Sequence, residues 1–168
     1  MADEIRNDTF SLLMVTPMRL SAIFLSKIAA AIWRQVDDLG LLIVAAAVLS
    51  LPILVSQYAT IWPVETYPVL SRAAMVIGLV VSLLRLALEP FMIGAIGTAC
   101  GAALRVRSSA VMATLLLSGS YFLLLNLARL LPMSWPVRFA VEFALPVVLP
   151  LIITWGAIQL AGFLVSRR

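Results

Sequence analysis

Residues 72–104 read RAAMVIGLVVSLLRLALEPFMIGAIGTACGAAL, and this stretch decides the fold. The run is apolar and longer than the ~20 residues that carry a helix across a bilayer. Arg85 and Glu89 sit in its middle, four apart, and so share one helix face. A charged side chain near mid-membrane costs about 2.5–3.5 kcal/mol on insertion scales, so the pair is expected to face protein or water rather than lipid. Pro90 follows at once and removes a backbone donor, which predicts a kink. Gly94, Gly97 and Gly101 come next, small positions at which a neighbouring helix can approach closely. The helix thus reads as the inner wall of an assembly. Two readings of the pair stay open: Arg85 and Glu89 only neutralise each other inside a bundle, or they line a pathway.

The composition agrees with a membrane setting. The chain has 168 residues, 63% hydrophobic and only 12% charged, whereas a soluble domain carries ~25% charged residues. It has no His and one Cys, Cys100. A His- or Cys-based metal site is therefore not expected, and a disulfide within the chain is excluded. Cys100, in an apolar Gly-rich run, is most simply a packing residue. Asp3, Glu4, Arg6 and Asp8 precede any apolar run, unlike the basic start of a secretory signal. No repeat, Gly/Ser linker or low-complexity tract divides the chain.

Residues 1–9 are polar, and Asp8 or Thr9 can cap a short helix that Pro17 ends. In residues 18–36, Leu20, Ile23, Phe24, Ile28, Ala31 and Ile32 fall near one face, with Arg19, Ser26, Lys27 and Arg34 mostly elsewhere. This pattern suits an amphipathic helix in the cytoplasmic interface, or the tilted entrance to the first span. Asp37 and Asp38 are read as its end. Spans are predicted over residues 40–62, 72–104, 109–131 and 139–164. Residues 63–71 are read as a loop, 105–108 as a tight basic turn, and 132–138 as a Trp- and Pro-containing loop. The expected fold is all-α: a polytopic bundle of four transmembrane helices (39–168) preceded by a cytoplasmic and interfacial segment (1–38).

Four spans place both termini on one side. That side holds Arg6, Arg19, Lys27, Arg34, Arg105, Arg107, Arg167 and Arg168, and the other holds Arg72, Arg129 and Arg138. The excess of basic residues orients both termini to the cytoplasm. The expected location is a bacterial cytoplasmic membrane, with the lipid bilayer as the first partner.

Little in the sequence points to catalysis. Without His, no Ser–His or Cys–His nucleophile can form. Glu65, Glu89 and Glu142 are scattered, and no Walker-type loop is present. The basic residues are spread along membrane edges without interleaved aromatics, which argues against nucleic-acid binding. Neither an enzymatic activity nor a cofactor is expected.

The run Glu4-Ile5-Arg6-Asn7-Asp8-Thr9-Phe10-Ser11-Leu12-Leu13-Met14-Val15-Thr16-Pro17, with Ile23 and Ser26-Lys27 beyond it, carries a further signal. It resembles the cytoplasmic segment of ABC type-2 transporter permeases. There an acidic, Arg-containing stretch leads to Gly-Thr, paired leucines and Thr-Pro, followed at set distances by an Ile and a Gly-Lys pair. Glu4, Thr9, Leu12, Leu13, Thr16, Pro17, Ile23 and Lys27 fit the pattern. Ile5 and Arg6 depart from the usual Arg-Glu, and Asp8 and Ser26 each replace a Gly. The match covers residues 4–35. In the family an elbow helix and two membrane helices precede this segment, so the likeness is to the C-terminal two-thirds.

The resemblance implies that this segment contacts a separate nucleotide-binding ATPase through Glu4, Arg6, Thr9, Phe10, Thr16 and Pro17. Residues 18–36 would then link that contact to the spans. The chain is accordingly expected to be a membrane subunit of an ABC-type exporter. The alternative is a non-transporting structural or assembly subunit of a larger membrane complex, for example an energy-transducing one.

Overall fold

The computed structural model describes residues 19–61, 65–66, 68–104 and 106–167. Every regular element among them is helical. In chain order they are α1 (Leu20–Trp33), α2 (Val36–Ile61), α3 (Pro68–Ala103), α4 (Arg107–Leu130) and α5 (Trp135–Phe139). A π-helical turn (Ala140–Ala144) and α6 (Leu145–Ser166) complete the order. Helices are the expected answer in lipid, where each backbone polar group needs a partner within its own segment.

Three helices are long and apolar enough to cross a membrane: Pro68–Ala103, Arg107–Leu130 and the continuous run Pro136–Ser166. Their outward faces carry large apolar side chains such as Val76, Leu116, Leu124, Ile152 and Trp155. Hydroxyls on these helices are mostly satisfied locally. Thr98 donates to the Ala95 carbonyl at 2.8 Å, Thr114 to Ala110 at 2.7 Å and Thr154 to Pro150 at 2.6 Å. Such back-bonding removes the need for a partner outside the helix.

The centre of the fold is α3, whose 36 residues make a rod about 54 Å long. Its most extensive neighbour is α6. The seam between them is built from Ala95, Ala99 and Ala102 on α3 and Ile158, Ala161 and Val165 on α6. Lipid is as apolar as the helices, so burial from water contributes little to this association; close van der Waals packing of small residues carries it. Near its C-terminal end α3 buries four consecutive residues, Ala99, Cys100, Gly101 and Ala102. Its N-terminal half buries only the stripe Ser71, Ala74 and Gly78. There Ala74 and Phe143 pack together, flanked by Ile61 of α2 and Phe139 of α5.

Several boundaries differ from those expected, each for a local reason. The helix of residues 72–104 starts earlier, at Pro68. Pro68, read as part of the 63–71 loop, is well placed at the first helical position, where its missing N–H costs nothing. Pro90 lies inside α3 without ending it. Asp37 and Asp38 do not close the preceding segment; they form the first turn of α2. Carboxylates there offset the partial positive charge of the helix start. Only Arg34 and Gln35 separate α1 from α2.

α1 buries Ile23, Phe24 and Ile28, with Leu20 and Ile32 partly covered, against α3 and α6. That is the face read from the spacing, except that Ala31 is exposed. Leu20 and Ile32 pack at the edge of the cluster that joins Phe24 and Ile28 to the α3 and α6 residues, and Ile28 lies against Gly94.

Candidate functional site

The residues expected to meet an ATPase, Glu4, Arg6, Thr9, Phe10, Thr16 and Pro17, lie outside the described residues. The other candidates gather on α3. Arg85 stands about 25 Å along the helix from Pro68, and Glu89 about 21 Å from Ala103, so the pair occupies its middle. The Arg85 Nε donates to Glu89 Oε1 at 2.8 Å, and a terminal guanidinium nitrogen reaches the same oxygen at 2.7 Å. The pair is a helical i,i+4 contact, and its two side chains remain 21% and 16% exposed. Glu89 Oε2 is not used by this pair.

The neighbour on α4 is Tyr121. It is 5% exposed, on the face where Ala110, Ser118, Tyr121 and Leu125 turn inward. Its buried hydroxyl lies within hydrogen-bonding and electrostatic reach of the Glu89 carboxylate, with Arg85 and Arg129 also near. The Phe122 ring stands edge-on to it, with centroids 5.0 Å apart. Ser118, one turn away, buries a hydroxyl without a partner.

A second ion pair joins the end of α4 to the π-helical turn. Arg129 Nε lies 3.4 Å from Glu142 Oε2, with the side chains 29% and 12% exposed. The geometry is that of a charge contact, not of a formed hydrogen bond, since Arg129 Nε has no hydrogen-bond partner. The wider π turn sets where Glu142 projects, and single π turns recur where a helix serves a site. Arg138, one turn before Glu142, also buries an Nε without a partner. Sequence reading noted Arg129 and Glu142 separately and did not join them. The available signal was opposite charge flanking the short Leu131–Ser134 connection, which turns consecutive helices antiparallel.

The three glycines of α3 meet different neighbours. A Cβ on Gly94 would stand 2.8 Å from Ile28 Cγ2, so this position admits the close approach of α1. A Cβ on Gly97 would stand 3.7 Å from Thr114 Cγ2, an ordinary contact with α4. Gly101 is buried within the run Ala99–Ala102. Beside Gly94 and Gly97 an open groove of about 550 Å³ runs between α1 and α3, with Lys27, Gln35 and Thr98 among its polar lining. Cys100 is buried and unbonded to another cysteine. Among the described residues no group of three or more His, Cys, Asp or Glu could hold a metal ion.

The site thus consists of two ion pairs and two buried hydroxyls along the α3–α4 seam and the start of the last span. No family model, curated protein or solved structure matches this chain.

Proposed function

We propose that this chain is the membrane subunit of an ABC-type exporter, and that residues 4–17 receive the motion of a separate ATPase. The observation that carries the reading is the docking of α1, which follows that segment directly. Phe24 is fully buried and Ile28 is 3% exposed, both against the α3–α6 seam. A displacement at the start of α1 therefore moves two spans at once, because close-packed side chains cannot slide independently. The alignment of α1 with the end of α3 supports the tilted entrance over a helix lying flat in the interface. α2 serves as the fourth span in this proposal. Arg19, Arg107 and Arg167 then lie at the end where Leu20, Leu104, Ala110 and Val165 gather, which makes that end cytoplasmic by the distribution of basic charge.

A structural role in a larger complex is the second reading, favoured by one feature. Gly40, Leu41, Val44, Ala45, Val48 and Leu49 form an apolar, outward-facing groove on α2, suited to close helix contact. Purification of the tagged protein in mild detergent, with mass spectrometry of what accompanies it, separates the two. The exporter reading expects an ATPase with a Walker-type loop, lost from a Thr9→Ala/Phe10→Ala variant. Unchanged association in that variant overturns the assigned contact. A large assembly without an ATPase overturns the exporter reading and supports the structural one.

A further inference from the structure

We propose that the groove between α1 and α3 holds one phospholipid of net negative charge, with an acyl chain along the trough and the phosphate on Lys27. The proposal stands apart from the ATPase reading and needs only that the bundle sit in a membrane.

The groove follows from the spacing of its walls. Lys27 and Ala31 are four apart on α1, and Gln35 continues the row just past the helix end. Pro90, Gly94 and Thr98 form the matching row on α3. Each row spans eight residues and is about 12 Å long. Ile28 meets Gly94 directly, and beside that contact the walls leave a trough of about 550 Å³. Ligand sites commonly enclose roughly 300–1,000 Å³. The trough is reached from outside, since Ala31, Gln35 and Ile93 in its lining are exposed.

The chemistry of the lining selects the occupant. Apart from Lys27, Gln35 and Thr98 the lining is apolar, and a hydrocarbon chain covers such a wall favourably. The Thr98 hydroxyl is spent on the Ala95 carbonyl at 2.8 Å. Lys27 is the one charged lining residue, and no carboxylate lines the groove among the described residues. Lys27 already engages a group of the protein, but an ammonium has three donors and keeps capacity for a phosphate oxygen. A basic pocket between membrane helices is a recurring site for anionic headgroups. A zwitterionic headgroup would bring its own cation to the same place, so the net anionic class is preferred. An apolar helix seated here would instead bury the Lys27 ammonium without an anion, at a desolvation cost.

The test is lipid retention by the full chain. Protein in mild detergent is mixed with equal amounts of phosphatidylglycerol and phosphatidylcholine bearing the same acyl chains, and bound lipid is read by native mass spectrometry. The parent is expected to retain one phosphatidylglycerol, preferred by about fivefold, the effect of one cation near an anionic lipid. Lys27→Gln should keep one lipid and lose the preference. Ala31→Trp, which sets an indole into the trough from an exposed position, should lose both lipids. Arg167→Gln, at an exposed basic residue outside the groove, should behave as the parent. A parent without bound lipid or without the preference overturns the proposal. So does an equal loss of preference in Lys27→Gln and Arg167→Gln, or parental retention in Ala31→Trp. A lipid-free dimer that Ala31→Trp dissociates overturns it in favour of a second copy in the groove. Should Ala31→Trp fail to accumulate, Ile93→Trp, on the opposite wall and 36% exposed, takes its place.

Discussion

Gly94 of α3 and Ile28 of α1 lie so close that a Cβ on Gly94 would stand 2.8 Å from Ile28 Cγ2. Ile28 is 3% exposed, and its Cγ1 and Cβ also stand 3.5 and 3.7 Å from that point, so the whole side chain would have to shift. Gly94→Ala is therefore expected to destabilise the bundle by about 1–3 kcal/mol, the usual effect of overpacking a filled interior. Ile28→Ala in the same chain should recover part of that loss, because it removes the methyl that clashes. Gly97→Ala, with its nearest contact at 3.7 Å, should be close to neutral. Thermal unfolding of the four variants in detergent checks all three outcomes, and additivity of Gly94→Ala and Ile28→Ala would refute the contact.

The Arg85–Glu89 pair leads to a prediction about magnitude. Removing one partner of a dry, buried ion pair costs about 3–5 kcal/mol, because the other charge is left without compensation. With side chains 21% and 16% exposed, water can compensate part of the loss. Arg85→Leu is thus expected to lower stability by about 1–2 kcal/mol, within the range for a charged hydrogen bond lost in a partly hydrated setting. A loss of 3 kcal/mol or more in detergent unfolding would show the pair to be dry.

Much of this arrangement was legible in the sequence, and the failures have physical causes. The apolar run around Arg85 and Glu89 located α3 because a span needs length and hydropathy, both local properties. The buried face of α1 was readable from its three-and-four spacing, since that periodicity reflects burial whatever the partner is. Its partner was not readable. Ile28 opposes Gly94, and sequence patterns carry no information about which small residue receives which neighbour. Asp37 and Asp38 were misread because an acidic pair suits a helix start as well as an interruption. Tyr121 gave no signal, since its burial beside Glu89 depends on how two helices are rotated about their axes.

The Arg129–Glu142 contact spans the short Leu131–Ser134 connection and bridges two helical segments. At 3.4 Å and without hydrogen-bond geometry, it is a weak tie. A double-mutant cycle of Arg129→Gln and Glu142→Gln should give a coupling of about 0.5–1 kcal/mol, typical of partly exposed ion pairs. That coupling should shrink in high salt, because both side chains keep some contact with solvent. A coupling above 2 kcal/mol, insensitive to salt, would instead place the pair in a dry interior.

Phe24 offers a way to separate binding from transmission. It is fully buried in the cluster that joins α1 to the α3–α6 seam. Phe24→Ala removes a large side chain from a closed site and is expected to cost about 3 kcal/mol through the cavity it leaves. Because α1 meets the rest of the protein chiefly through this cluster, the loss should fall on its docking and not on the α3–α6 seam. Trypsin should then cut after Arg34, an exposed residue beyond α1, faster than in the unaltered protein, while the α3–α6 region stays resistant. The ATPase contact proposed for residues 4–17 should survive, so under that proposal the variant should still retain an ATPase on purification. A variant that resists trypsin as the parent does would show that α1 is held by something other than Phe24. One that loses the ATPase as well would show that α1 must be docked for residues 4–17 to be presented at all.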